Sequence, residues 1–470
     1  MILKAPRSIV HYFRCIAIAG LVSDRVAHAV PDLLTGFTLA RRKRTQAELA
    51  RSVFIGFRHK STVSRIFRDP NFKSRDMFKA AMADAIARLL ALVPRKSKTK
   101  IRWFLAIDAT STKRGAFTKI AGANQFKEKE SGTKGRSTKA HCFLMGILIT
   151  HEGVIIPLPR YTCYPKKSGS GLPGRPSKAT QQDLAVQMLK DLLKLLPKCI
   201  QLVVCADEYF EGKKLTRLAK RRGVVFIAPV DTNRCFADDG KPDRSNGRNI
   251  HDRGRRLQLK TFSQVDLVRG VESTVSYRRY SERKAGPKDY RTYYVRHEAR
   301  TVAGLGTVMV VYSWKCPIHE RSKKNFDEMT FKVLVCSDPS WSGAEIVEWY
   351  EIRWQVEVFF RLIKQELGLG DYEGQDLRAF ERHVDTVLLS FLYLEMKRVD
   401  ILESPYTKEE VREKARYART RGIQEFVRAE ANQELWELIQ KSRKSERSWR
   451  LLKAYFKEIS TGGGTFACAA

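Results

Sequence analysis

Three carboxylates in this sequence have the setting and spacing of an acid cluster. Asp108 follows the apolar run Trp103-Phe104-Leu105-Ala106-Ile107, and Asp207 follows Leu202-Val203-Val204-Cys205-Ala206. Each run predicts a strand that ends in an aspartate, and a strand end holds a side chain rigidly while leaving it open to a substrate. Aspartate is also a common turn former there, so the pair carries more than either member alone. The third carboxylate, Glu357, lies in a helix predicted over 343–367. At about 100° per residue from Glu357, Tyr350 falls near about +20°, Arg353 near about −40°, Arg361 near about +40° and Lys364 near about −20°. One face therefore carries a carboxylate flanked by cations and a phenol, while Trp349, Ile352, Val356, Phe359, Ile363 and Leu367 form an apolar side. The same spacing also fits an i, i+4 salt-bridge ladder on a solvated helix.

Carboxylates brought together repel one another, and in a low-dielectric cleft one protonates unless a cation is present. Hard oxygen donors select Mg2+, with Mn2+ as a substitute. Two such ions about 4 Å apart suit in-line substitution at a phosphodiester, by activating the attacking oxygen and stabilising the leaving one. The charge balance points to the same substrate. The 470 residues carry 87 Lys+Arg against 51 Asp+Glu, a net charge of +36, and cations that neutralise phosphates release condensed counterions. An acidic site in a basic chain suits the cutting or joining of DNA.

No apolar run reaches the roughly 18 residues of a spanning helix, so no membrane partner is expected. The apolar stretch from Cys15 to Val22 is broken by Ser23-Asp24-Arg25 before any good cleavage site, which argues against secretion. Cysteines number nine, with no C-x-x-C pair, so neither a disulfide framework nor a zinc site is expected and a reducing cytoplasm fits.

The elements that must position the carboxylates follow an α/β pattern. From 101 to 229 the order predicted is β, β, β, α, β, α, β: a strand over 101–107, a hairpin of 141–150 and 154–159 turning at His151-Glu152-Gly153, a helix over 180–196, a strand over 200–206, a helix over 213–222 and a strand over 224–228. Between them, Pro165 to Lys178 reads as a Gly/Pro/Lys loop, more readily mobile than a minor-groove hook at Gly174-Arg175-Pro176. Residues 1–95 read as helical. Within them Ala47, Ala50, Phe54 and Phe57, then Ser61 as a cap before Val63, Ile66 and Phe67, suit either a helix-turn-helix or a small bundle with a basic face. Short alternating stretches over 230–330 predict a β-rich insertion, and a strand at 331–336 leads into the Glu357 helix. Residues 396–470 read as a helical, basic region whose tail from Thr461 is expected to be disordered.

The run Tyr350-x2-Arg353-x3-Glu357-x6-Lys364 resembles the Y-R-E-K signature of the insertion-sequence-four superfamily of bacterial DDE transposases, and the order of parts is similar along most of the chain. The resemblance implies an α/β fold with a ribonuclease-H-like core over 96–229 and 331–395, interrupted by the 230–330 insertion. A helical DNA-binding domain at 1–95 and a helical region at 396–470 would flank it. It implies that Asp108, Asp207 and Glu357 are a catalytic triad holding two Mg2+ ions, and that Tyr350, Arg353 and Lys364, with Arg361 beside them, contact DNA phosphates. Some relatives hold a flipped base with an aromatic residue of the insertion, and Trp314 is the candidate here. The second aspartate of such families is often followed by Arg-Gly-Tyr, whereas this chain has Glu208-Tyr209-Phe210, a departure that bears on subgroup. The activity implied is cleavage at terminal inverted repeats of double-stranded DNA and transfer of 3′-hydroxyl ends into target DNA, by a homodimer on the DNA ends, in the bacterial cytoplasm at the nucleoid. A ribonuclease-H-like nuclease that does not join, and a DNA-binding protein without catalysis, are the alternatives.

Overall fold

The computed structural model describes residues 5–15, 24–40, 43–52, 60–93, 101–114, 123–127, 137–163, 179–237, 249–257, 263–267, 291–315, 329–443, 445–446 and 450. Several sequence features lie outside them: Phe54 and Phe57, most of the Cys15 to Val22 stretch, the loop with Gly174-Arg175-Pro176, and the tail from Thr461. The chain divides into two compact units. One comprises Met1–Arg88, Thr112–Lys139 and Arg361–Ala470, the other Leu89–Ser111 and Ala140–Phe360.

The strands, in chain order, are β1 (Ile101–Arg114), β2 (Asn124–Lys127), β3 (Ser137–Ile149), β4 (Ile155–Pro157), β5 (Tyr161–Cys163), β6 (Ile200–Ala206), β7 (Val225–Pro229), β8 (Ser263–Leu267), β9 (Arg291–Val302), β10 (Gly306–Lys315) and β11 (Thr330–Cys336). From β3 onward the second unit's sheet runs β3-β1-β6-β7-β11-β10-β9-β8, with β4 and β5 paired to β3. β6 is parallel to both β1 and β7. The strands beyond β7 are each antiparallel to their neighbour. The sheet is therefore mixed, and β8 to β10, from the segment predicted as an insertion, extend it past β11.

Local chemistry explains the connections. Between β3 and β4 the Thr150 N–H donates to Val154 O at 3.0 Å, and Gly153 takes φ +75°, a left-handed value that costs glycine little. The helix Gln181–Leu193 starts at Thr180, whose hydroxyl accepts from the Asp183 N–H while the Asp183 carboxylate accepts from the Thr180 N–H. With Lys213–Arg222, this helix forms the crossovers that parallel β1, β6 and β7 require.

β1 is covered on both faces, since Trp103 to Ile107 are all buried. On one face, a Cβ at Gly146 would fall 2.7 Å from Met188 Sδ and 3.2 Å from Leu105, so the missing side chain lets the Gln181–Leu193 helix sit close. The other face is covered by a helix at Gly343–Ile352, where the Ser342 hydroxyl caps by accepting from the Glu345 N–H at 3.2 Å.

Two expectations need correction. β1 does not end at Asp108 but runs on to Arg114, because Ala109-Thr110-Ser111-Thr112 supplies β-branched residues that keep the chain extended. The predicted single helix over 343–367 is two, Gly343–Ile352 and Trp354–Gln365, meeting at Arg353. There the Arg353 N–H donates to Tyr350 O and the Val356 N–H to Arg353 O, both at 3.0 Å, and these i to i+3 bonds tighten the turn.

The first unit is helical where it is described, apart from short strand segments. Its long helix Leu377–Glu403 is buried over most of its length, and His383 Nε2 pairs with Gly368 O at 2.8 Å among the rings of Phe37, Phe67, Tyr372 and Phe380. Gln46–Ser52 and Lys60–Arg68 pack together, with Leu49, Val63, Ile66 and Phe67 inward, and Ser61 lies within the second helix rather than before it.

Phe104 is 1% exposed and stacks on Trp349 at 6.3 Å, joining the sheet to the Gly343–Ile352 helix. Truncation to alanine leaves a cavity under that helix, so Phe104→Ala should lower the unfolding free energy by about 3 kcal/mol or more. Urea unfolding is the measurement, with a lowered midpoint at unchanged slope; an unchanged midpoint would mean that this stack does not hold the helix.

Candidate active site

The parallel register of β1 and β6 brings two of the carboxylates together. Phe104 pairs with Val203, Ala106 with Cys205 and Ile107 with Ala206. The next positions are Asp108 and Asp207, which fall side by side on one face of strands about 4.8 Å apart. Asp207 leaves β6 with extended backbone, φ −74° and ψ 167°, before the short 3-10 turn Glu208–Phe210.

That face carries a series of contacts to the Gly343–Ile352 helix. Arg102 bonds Gln201 at 3.1 Å, lies over the Trp341 ring at 4.6 Å and pairs with Glu345. Phe104 stacks on Trp349, and the Cys205 thiol donates to Trp349 O at 3.8 Å. Four helical residues rise about 6 Å and two strand residues about 6.6 Å. Glu345 and Trp349 therefore keep step with strand positions 102 and 104 to 106, and the long side chain of Arg353 reaches on to Asp108.

At the end of the series Arg353 stands between two carboxylates. Its Nη1 is 3.8 Å from Asp108 Oδ2 and its Nη2 donates to Glu357 Oε1 at 2.9 Å, with only 12% of its side chain exposed. Burial works against the guanidinium charge, but the fields of Tyr350, Glu357, Asp108 and Asp207 outweigh it and move its pKa up. Burial also pushes the Asp108 carboxyl up. The Ala109 N–H, 2.7 Å from Oδ1, and Arg353 oppose that shift, while Asp207 and Glu357 reinforce it. Asp108 thus feels the charge of both other carboxylates.

Tyr350 does not stand on an open face as the helical projection implied. Its phenol is buried and without a hydrogen-bond partner, and burial pushes its pKa up against the pull of Arg353. Its ring is flanked by Arg353 at 5.7 Å and by Lys332 of β11 at 5.5 Å. Lys332 beside Tyr350 is a cation that sequence reasoning passed over; the available signal was a lysine within the apolar strand Phe331 to Cys336. Arg361 and Lys364 lie farther along Trp354–Gln365, in the first unit, half-buried and exposed respectively. Trp314 is buried in β10 with its ring 4.6 Å from Phe331, in a cluster with Tyr312 and Val333. In the Glu208-Tyr209-Phe210 segment, Phe210 is buried and Tyr209 exposed, beside a cleft that Asp207, Glu211 and Arg234 also line.

The donor set, three carboxylates, suits a hard divalent cation. As the side chains stand, no three His, Cys, Asp or Glu residues among those described converge closely enough to hold a metal ion. Arg353 supplies positive charge there instead.

Residues 175–392 match the family model described as transposase DDE domain, a span that includes Asp207 and Glu357 and begins after Asp108. The match supports a transposase, with an enzymatic role and a DNA substrate. No curated protein matches the chain. Among the described residues no helix is long and apolar enough to cross a membrane.

The raised Asp108 carboxyl has a consequence for stability. The native protein keeps this proton to higher pH than the unfolded chain, so ionisation destabilises the fold as pH rises above the ordinary aspartate range of about 4. The penalty is complete once pH passes the raised native value. In metal-free protein Asp108→Asn should therefore unfold at higher temperature than wild type near neutral pH, with the difference vanishing toward about pH 3. Equal melting temperatures at neutral pH would show that Arg353 and Ala109 fully offset the burial of this carboxylate.

Proposed function

We propose that this chain is a DNA transposase of a bacterial insertion sequence, which cuts at terminal inverted repeats and joins the 3′-hydroxyl ends to target DNA. The observation that carries this reading is the placement of Arg353 between Asp108 and Glu357, with Asp207 one register step past the last paired residues of the strand beside Asp108. The strand order β4-β3-β1-β6-β7, with β4 antiparallel to β3 and β1, β6 and β7 parallel, supports a ribonuclease-H-like core. The transposase DDE match over 175–392 supports the reaction class.

Such domains depend on divalent metal in general, and here Asp108, Asp207 and Glu357 would hold Mg2+, with Mn2+ as a substitute. When bound, the ions would supply activation of the attacking oxygen and charge stabilisation of the leaving 3′ oxygen. The chain's own contribution is position. Arg353 offers a planar fork to the scissile phosphate, and Tyr350, packed between Arg353 and Lys332, sets where that fork can reach. Lys332 contacts the DNA backbone, as do Arg361 and Lys364. Trp314, packed as core, has no part in this reading. The helices Gln46–Ser52 and Lys60–Arg68 belong to a DNA-binding region at 1–95 that selects the element ends, and two copies act together on paired ends.

The deciding experiment incubates the full chain with Mg2+ and labelled DNA carrying the flanks of its own gene. Cleaved ends together with joined products are expected. Cleavage without joining in the presence of target DNA would favour a nuclease, and binding without cleavage a DNA-binding protein. Asp108→Ala, Asp207→Ala and Glu357→Ala should each abolish cleavage and leave end binding nearly unchanged; a mutant that still cuts removes its residue from the triad.

Arg353 and Lys364 separate fork from point charge. Arg353→Lys keeps the charge but loses bidentate geometry, and a displacement of about 1 Å at the reacting phosphate costs on the order of 100-fold in rate. Single-turnover cleavage of bound DNA should slow by that order for Arg353→Lys and far less for Lys364→Arg. A wild-type rate for Arg353→Lys would reduce this face to a salt-bridge ladder.

A further inference from the structure

Arg353 is engaged by the acids that the proposed reaction needs for metal. Its Nη2 donates to Glu357 Oε1 at 2.9 Å and its Nη1 faces Asp108 Oδ2 at 3.8 Å. The guanidinium is also the residue best suited to grip a phosphodiester. The fork formed by its two Nη atoms faces these carboxylates, so turning that fork to a phosphate means leaving them. A small divalent ion, for its part, draws its oxygen donors to about 2 Å. A guanidinium between two carboxylates keeps those oxygens apart, which agrees with the lack of any metal-ready group of three acids among the described residues.

We infer that Arg353 is an internal counter-ion that closes the metal site until DNA draws it away, so that DNA binding and divalent-metal binding strengthen each other. The inference rests on the triad reading given above. A phosphate entering the site offers Arg353 a second anionic partner in bidentate geometry. Once the guanidinium moves to that partner, Glu357 and Asp108 are left with their negative charge and beside Asp207, the arrangement that most favours a bound cation. Metal that has displaced Arg353 leaves the guanidinium free for phosphate, so the coupling is reciprocal by linkage. Tyr350 is the pivot, because its buried ring lies 5.7 Å from the guanidinium and confines its swing. Lys332, exposed and 5.5 Å from that ring, offers the phosphate a second cation close to Tyr350. The device keeps the chain from carrying a charged metal centre when no DNA is in place.

The test measures Mn2+ binding by the electron paramagnetic resonance signal of free Mn2+, on the full-length protein, with and without a duplex of random sequence. Mn2+ held by DNA alone is removed by subtracting the same titration on Asp207→Asn. For wild type the duplex should tighten site-specific Mn2+ binding about 10-fold, within the usual range of coupling between sites. Arg353→Met should bind Mn2+ without DNA about as tightly as wild type does with it, and gain nothing further from the duplex. Arg353→Lys, which keeps a cation of weaker grip, should fall between. Arg353→Met and Arg353→Lys binding no tighter than wild type in the absence of DNA, or keeping the full wild-type response to it, would overturn the inference while leaving the triad in place. Equal Mn2+ uptake by wild type and Asp207→Asn in the presence of DNA would remove the triad as a metal site, and the inference with it.

Discussion

Carboxylates at one level of adjacent parallel strands, with a third facing them from a helix, cannot all remain charged in a partly buried site without a cation. In this chain Arg353 meets that constraint, and much of the second unit serves to place it. The guanidinium is charged despite its burial because four anionic or phenolic neighbours favour the charge more than desolvation disfavours it. Asp108 shows the other side of the same balance: even with Arg353 and a backbone N–H beside it, its carboxyl is pushed up. Burial is the largest part of that shift, with the two other carboxylates adding to it. Added positive charge beside Asp108 would favour its ionised form, as the proposed metal-dependent reaction would require.

The placement of Arg353 is a matter of matched repeats. A helix lying along a strand stays in step with it for only a few turns, because about 6 Å per four residues approximates about 6.6 Å per two. From Glu345 to Trp349 the mismatch is under about 1 Å, and from there to Asp108 the strand runs about 7 Å ahead of the helix, a gap that the long side chain of Arg353 spans. Arg102 is tied by charge and by the Trp341 ring, Phe104 by stacking, and Asp108 by charge again. The turn at Arg353 then separates the helix that packs on the sheet from the helix that carries Glu357. That break lets Tyr350 be buried while Glu357, seven residues on and nominally on the same face, remains half-exposed.

Much of this was legible in the sequence, for physical reasons. The apolar runs ahead of Asp108 and Asp207 specify buried parallel strands, and the periodicity around Glu357 specifies a helix, because burial imposes both patterns. What was not legible depends on partners far away in sequence. Nothing near Asp108 says that β1 continues, since Thr110 to Thr112 suit a strand or a loop. The break at Arg353 leaves the hydrophobic pattern intact, because it alters hydrogen bonding within αR backbone. Lys332 joins the site only through pairing of β11 with β7 and β10, a nonlocal fact. Trp314 was singled out for its chemistry, but its strand position facing Phe331 makes it core.

The net charge of +36 and the acidic centre fit together once their ranges are compared. The basic excess acts over about a Debye length, roughly 8 Å in physiological salt, and gathers DNA without regard to sequence. At the centre itself the three carboxylates would repel a phosphodiester that the rest of the surface attracts. Lys315 on β10 pairs with Glu351 at 3.9 Å, and Lys332 on β11 lies 5.5 Å from the Tyr350 ring, so both cations face the helix that ends at Arg353. Arg353 stands among the acids, so the last few ångströms of approach depend on whether that one guanidinium faces inward to carboxylate or outward to phosphate. In the proposed role of Arg353, the long-range charge of the chain brings DNA near, and one short-range ion pair sets whether the site is ready for it.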